Sequence, residues 1–294
     1  MDVKAFYHPP TFTITYVVSN GSDAVVIDPV LDYDPHSGNT DTTSVEAVRA
    51  FLEARSLDTH FILETHAHAD HLSGSQFLRR VTEAPIVICH RITEVQSGFK
   101  ELLSLEESFP VDGSQFDRLV QEGDRLEAGS LDIGVLETPG HTPACVSYVI
   151  GDAVFTGDAL FMPDFGTGRC DFPKGSAEAL YRSIQDKLYT LPDTTRVFVG
   201  HDYQPNGRAL AYETTIGESK AKNIQLTAET EAEGFVAMRQ GRDSGLPAPK
   251  LLFQSVQVNI DAGRLPKEDA RGHRQLRMPL NLLRSADEFG RPNK

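Results

Sequence analysis

Residues 65–71, Thr-His-Ala-His-Ala-Asp-His, put four side chains able to ligate a transition metal within six positions. In an extended chain His66 and His68 point the same way, and a following turn brings Asp70 and His71 beside them. A solvated polar loop has no need of that density of imidazole and carboxylate; a metal site does. Three further candidates each follow an apolar run: His141 in Thr138-Pro-Gly-His, Asp158 in Phe155-Thr-Gly-Asp, and His201 in Val197-Phe-Val-Gly-His. Taken singly, a histidine or aspartate at a strand end is more often structural than chemical. Together with the first cluster these three complete one ligand set, and the glycine before each lets the backbone turn tightly at the strand end. The chain must therefore fold so that several strand ends meet at one point.

The composition admits such a scaffold and excludes several others. With 294 residues, 39% hydrophobic and 24% charged, the chain can bury one large core or two modest ones. A formal net charge of -14 and the lack of a long basic run argue against a nucleic-acid partner or a polybasic membrane patch. No apolar run reaches the roughly 18 to 20 residues that cross a bilayer, and the N-terminal stretch lacks the basic-then-apolar pattern of a secretory signal, so a cytoplasmic location is expected. Cys89, Cys145 and Cys170 are too few and too irregularly spaced for a disulfide framework or a cysteine zinc cage, and are expected as reduced thiols.

Along the chain, residues 11–18 and 24–27 are β-rich runs about a small polar turn, which predicts a hairpin at the edge of a sheet. Residues 44–52, 75–81 and 177–184 have apolar positions at helical spacing, and short apolar strands are expected at 61–63, 86–89, 133–137, 145–150, 153–156 and 196–199. Two sheets with helices outside follow from that alternation. Past Gly207 the character shifts: helix near 230–239, a Gly- and Pro-punctuated stretch at 241–250, a strand at 255–260 and a polar tail. The division expected is a catalytic domain over 1–210 and an extension over 211–294 packed on it. Asp28, before Pro29 at a strand end, is read as a turn residue shaping the metal edge.

The order His-x-His-x-Asp-His, His141, Asp158, His201 resembles the metallo-β-lactamase fold superfamily over residues from about 11 to 210. The resemblance implies an α/β fold, an αββα sandwich of two sheets flanked by helices with the metal site at one edge between the sheets; it does not fix the reaction. The neighbouring stretches, Thr138-Pro-Gly-His-Thr-Pro-Ala-Cys145, Thr156-Gly-Asp-Ala-Leu160, Gly168-Arg-Cys-Asp-Phe172 and His201-Asp-Tyr203, are similar to the persulfide dioxygenase family. Cys145 and Ala159 stand where glyoxalase II proteins carry other residues, and the tail over 255–266 looks like the longer bacterial form.

By motif position, that resemblance implies one Fe(II) per chain held by His66, His141 and Asp158, a two-histidine, one-carboxylate set that leaves positions open for substrate and O2. His68, Asp70, His71 and His201 are then residues that orient ligands and water, whereas in the hydrolase relatives they hold a second metal. The implied reaction oxidises glutathione persulfide with O2 to sulfite and glutathione, in sulfide oxidation or detoxification. A binuclear thioesterase of the glyoxalase II kind is the alternative. Glutathione carries two carboxylates and the protein is acidic, so fixed cations are required near the metal. Arg169 is the first candidate, Tyr203 a phenolic donor, and Lys174 a neighbour that as a single residue reads more readily as a solvated surface lysine. Cys145 reads equally as a buried structural thiol, and Cys170 lies near the expected substrate. A homodimer is expected from relatives.

Overall fold

The computed structural model describes residues 1–282, 286 and 289–291. The elements in chain order are β1 (Asp2–His8), β2 (Thr13–Asn20), β3 (Asp23–Ile27), β4 (Val30–Asp34), β5 (Asn39–Asp41), α1 (Thr43–Ala54), β6 (Asp58–Leu63), β7 (Leu72–Ser73), α2 (Ser75–Thr82), β8 (Ile86–Cys89) and α3 (Ile92–Leu102). Then follow β9 (Arg118–Val120), β10 (Arg125–Ala128), β11 (Leu131–Glu137), β12 (Val146–Ile150), β13 (Ala153–Phe155), α4 (Ala177–Arg182), β14 (Arg196–Phe198), β15 (Glu213–Thr215), α5 (Ile216–Lys222), α6 (Ala232–Asp243) and α7 (Leu252–Asn259). Two six-stranded sheets result, ordered β1-β2-β3-β6-β8-β9 and β10-β11-β12-β13-β14-β15, with a small third sheet β5-β4-β7. Helices flank the sheets, giving the expected α/β sandwich.

The two sheets meet through aromatic side chains. Tyr16 on β2 lies 5.3 Å from the Phe155 ring and 5.5 Å from that of Phe198, and those two stack at 5.0 Å. Aromatic pairs at such distances add about 0.5–1.5 kcal/mol beyond the area they bury. The Tyr16 hydroxyl is satisfied by the Val199 carbonyl at 2.6 Å, so this core contact leaves no orphaned donor. At the same end of the sandwich the Ile14 amide donates to the Gly200 carbonyl at 2.9 Å, tying the first sheet to the loop after β14.

Two expectations change, and one helix was not foreseen. The hairpin β2–β3 is not at the sheet edge, because β1 pairs along the full length of β2 from Asp2 opposite Ser19 to His8 opposite Thr13. Residues 92–102 form α3, whose buried face is Ile92, Val95, Gln96 and Phe99; a glutamine in the middle of that face hides the helical pattern. Residues 255–260 are not a strand: Val256, Val258 and Ile260 alternate with polar residues, but the chain is helical through Asn259 and buries Leu252, Ser255, Val256 and Asn259 at i, i+3, i+4 and i+7. The expected boundary at 210 falls just before β15, which pairs with β14 in the second sheet.

Candidate metal centre and its cavity

Four strand ends deliver the donors: His66 follows β6, His141 follows β11, Asp158 follows β13 and His201 follows β14. Gly157 and Gly200 permit the convergence. Gly157 has φ +48, and a Cβ there would sit 2.5 Å from the Thr65 hydroxyl oxygen; a Cβ on Gly200 would meet an Asp158 carboxylate oxygen at 2.9 Å. The loop after β6 is pinned from below by Asp28, which adopts φ +49 at its turn. Its carboxylate accepts the Thr65 amide at 2.7 Å and the Thr65 hydroxyl at 2.8 Å. From above, Asn259 on α7 donates its amide to the carbonyls of His68 and His71, both at 2.8 Å, and accepts the Ser73 amide at 2.8 Å.

His66, His141 and Asp158 bring one donor atom each to within 4.8 Å of one another, all buried. The Nε2 atoms of His66 and His141 lie 3.9 and 3.6 Å from the same Asp158 oxygen. Nδ1 of His66 contacts the Thr65 hydroxyl at 2.9 Å and Nδ1 of His141 the Arg169 carbonyl at 2.8 Å, which sets each ring so that Nε2 faces the centre. Nε2 of His66 has no hydrogen-bond partner although it is buried. Burial, then the charge of neighbouring His68, keeps His66 well below the usual histidine range and so neutral. A buried neutral imidazole with an orphaned nitrogen beside a carboxylate fits a metal ion, and two histidines with one carboxylate suit an ion that keeps coordination positions open.

The remaining cluster residues are engaged differently. His201 is sandwiched between two carboxylates, Nδ1 at 2.7 Å from Asp158 and Nε2 at 2.8 Å from Asp70. Burial opposes its protonation, but Asp158, Tyr203 and Asp70 raise its pKa well above the usual value. His68 turns Nε2 toward Asp28 at 3.1 Å and Glu64 at 3.4 Å; burial lowers it, yet Asp28 and Glu64 prevail and raise it to about 10. His71 bonds the Leu72 carbonyl through Nδ1 at 3.1 Å, and burial with the His68 charge takes it down to about 3. His68, Asp70 and His71 offer a second group of donors within 4.8 Å.

A cavity of about 430 Å³ opens on this centre, with Asp70, His141 and Asp158 at its floor and Phe12, Phe161, Phe165 and Tyr203 among its walls. Tyr203 stacks on His201 at 5.6 Å and on Phe165 at 4.6 Å. Arg169 lines the cavity, but both sides of its guanidinium are taken, by the Asp171 carboxylate at 2.6 Å and the Pro247 carbonyl at 2.8 Å. Lys174 is exposed and does not line it. The cations that do, besides Arg169, come from the later chain: Arg239, Arg242 and Lys250. Buried Arg239 pairs with Asp243, which also accepts the Cys170 amide at 2.8 Å, so α6 is clamped to the Arg169 loop. Burial pushes the Cys145 and Cys170 thiols up to about 12, which makes neither a nucleophile at neutral pH.

Sequence reasoning did not find Glu64, Asn259, Arg242 or Lys250. Glu64 stands beside the 65–71 cluster and reaches His68, Ser73 and Ser75 within eleven positions, Asn259 acts across 186 positions or more, and Arg242 and Lys250 sit in a segment without motif.

Residues 8–201 match the metallo-beta-lactamase superfamily, and the chain belongs to it. It is 45% identical to a probable metallo-hydrolase of Burkholderia pseudomallei, over 96% of this chain and 100% of that one. It is 45% identical to glyoxylase B2 of Dictyostelium discoideum over 88% of this chain and 89% of that one, and 29% identical to the mitochondrial persulfide dioxygenase ETHE1 of Homo sapiens over 89% and 88%. Several relatives are longer, and this chain spans about two thirds of them. Among solved structures, ETHE1 from Myxococcus xanthus superposes with a TM-score of 0.72 at 33% identity, over 90% of this chain and all of that one. No helix among the described residues is long and apolar enough to cross a membrane.

Proposed function

We propose that this chain is a glutathione-dependent persulfide dioxygenase with one Fe(II), held by His66, His141 and Asp158. The observation that carries the reading is the donor set itself: two imidazoles and one carboxylate, one atom of each within 4.8 Å of the others and all buried, a set that leaves coordination positions open for substrate and O2. The likeness to two ETHE1 proteins, one of them a persulfide dioxygenase by name, supports the same reaction.

Ferrous iron supplies the redox chemistry by which O2 and water convert a glutathione persulfide to glutathione and sulfite. The chain's own residues prepare that site. Thr65 and the Arg169 carbonyl fix the two imidazoles, and His201 holds Asp158 by one oxygen so that the other faces the imidazole nitrogens. The aromatic wall of Phe161, Phe165 and Tyr203 keeps water from the floor of the cavity, where a sulfur anion must compete with it for the metal.

A binuclear thioesterase is favoured by one observation, the donor group His68, Asp70 and His71, together with the glyoxylase name of a 45% identical relative. One sample decides between them. Anaerobically purified, Fe(II)-loaded protein given glutathione persulfide takes up O2, forms sulfite and carries one iron per chain; no uptake, with S-acylglutathione cleaved and two metals per chain, would make it a hydrolase.

A further inference from the structure

We infer that Arg242 and Lys250 are the carboxylate-binding residues of the cavity, and that its ligand is a small peptide whose sulfur lies on its middle residue and whose carboxylates lie at its ends. The inference rests on the proposed glutathione-dependent reaction and assigns recognition to the chain after 210.

Charge accounting in the cavity leads there. Four cations line it. Arg169 is neutralised by Asp171 and fixed by the Pro247 carbonyl, and Arg239 by Asp243 and by Gln225 at 2.9 Å. Arg242 and Lys250 make no ion pair and no side-chain hydrogen bond with any described residue. In a chain of net charge -14 a free cation finds an acidic partner easily, yet these two face a cavity whose floor is a metal centre. Both are exposed, so each keeps a partly hydrated charge that a carboxylate can approach without a large desolvation cost.

Their placement is built. Arg242 sits in the last turn of α6, clamped through Asp243 to the Cys170 amide. Lys250 lies just after Pro247, the residue whose carbonyl Arg169 holds. Arg169 is therefore a positioning residue: it spends its donors on Asp171 and on the segment that carries Lys250. Phe161, Phe165 and Leu246 line the same cavity, apolar surface that suits the uncharged middle of the ligand with its sulfur and disfavours its carboxylates.

The test uses full-length, metal-loaded protein and glutathione itself as probe. Titration calorimetry should show the glutathione Kd rising about tenfold for Arg242→Gln and for Lys250→Gln, and about a hundredfold for the pair, at the roughly tenfold that 1.4 kcal/mol represents. Arg80→Gln, an exposed cation of α2 outside the cavity, should leave Kd unchanged. With glutathione persulfide the double variant should raise KM with kcat nearly unchanged, and a persulfide of cysteamine, which has no carboxylate, should lose nothing. A double variant with parental Kd, folded by its thermal transition, overturns the assignment whatever the reaction is. Parental glutathione binding lost in the double variant but without O2 uptake overturns the dioxygenase reading and leaves the assignment standing.

Discussion

Asn259 is the strongest single test of how the site is assembled. Its side chain is 4% exposed and makes three hydrogen bonds of 2.8 Å, two to carbonyls inside the metal loop and one from the Ser73 amide. Asn259→Leu keeps the volume and removes all three partners, leaving two carbonyls and one amide buried without compensation. A buried polar group deprived of its partner costs about 1–3 kcal/mol, so with three such groups the variant should lose about 3–9 kcal/mol. At about 2–4 °C per kcal/mol for a domain of this order, the melting temperature should fall by about 6–36 °C. Urea unfolding of the metal-free protein should show the midpoint shift without a change in m, and metal titration should show weaker binding, because the carbonyls that Asn259 holds belong to the residues carrying His68 and His71. Asn259→Asp accepts the Ser73 amide still but faces two carbonyl oxygens with a charge, and should be no more stable than the leucine variant. A loss below about 1 kcal/mol with unchanged metal affinity would refute the idea that α7 sets the loop.

Gly200→Ala places a Cβ 2.9 Å from an Asp158 oxygen and should lower metal occupancy, read by metal analysis, in a protein whose circular dichroism is unchanged. Metal held at a thousandfold over its Kd should stabilise the parent by about 4 kcal/mol, seen as a melting shift that a chelator reverses. Asp23 accepts from His60 at 2.8 Å and from the Ser130 amide at 2.7 Å; these bonds, that of His60 first, draw its pKa from 3.8 down to about 2. Its contribution is therefore full above pH 4 and lost as pH falls through 2, so Asp23→Asn should be less stable than the parent at pH 5 and the gap should close on acidification. A gap that widened on acidification would reverse the sign of that argument.

The candidate donor group was legible because its members come with local signals: a seven-residue cluster, and glycine beside each later member at the end of an apolar run. The sheets were legible for the same reason, as short apolar runs bounded by turns. What failed was every feature whose cause lies elsewhere in the chain. Val256, Val258 and Ile260 alternate like a strand, and only the packing of Leu252, Ser255 and Asn259 makes them a helix. Arg169 and Lys174 stood beside a motif, yet Arg169 is consumed by Asp171 and Pro247 and Lys174 points to solvent, whereas the unpaired cations sit past Gly207, where no motif marks them. A sequence shows which side chains can do chemistry; it does not show which of them are already spent on their neighbours.

The bond from α7 to the metal loop also sets an order of events. A nascent chain that has emerged as far as His201 carries every metal donor, but the two carbonyls that Asn259 holds wait for a helix made almost sixty residues later. Strand pairing and the aromatic core can form by then, while the loop geometry cannot. A chain cut short before α7 should therefore form strands yet hold metal less tightly than the full chain.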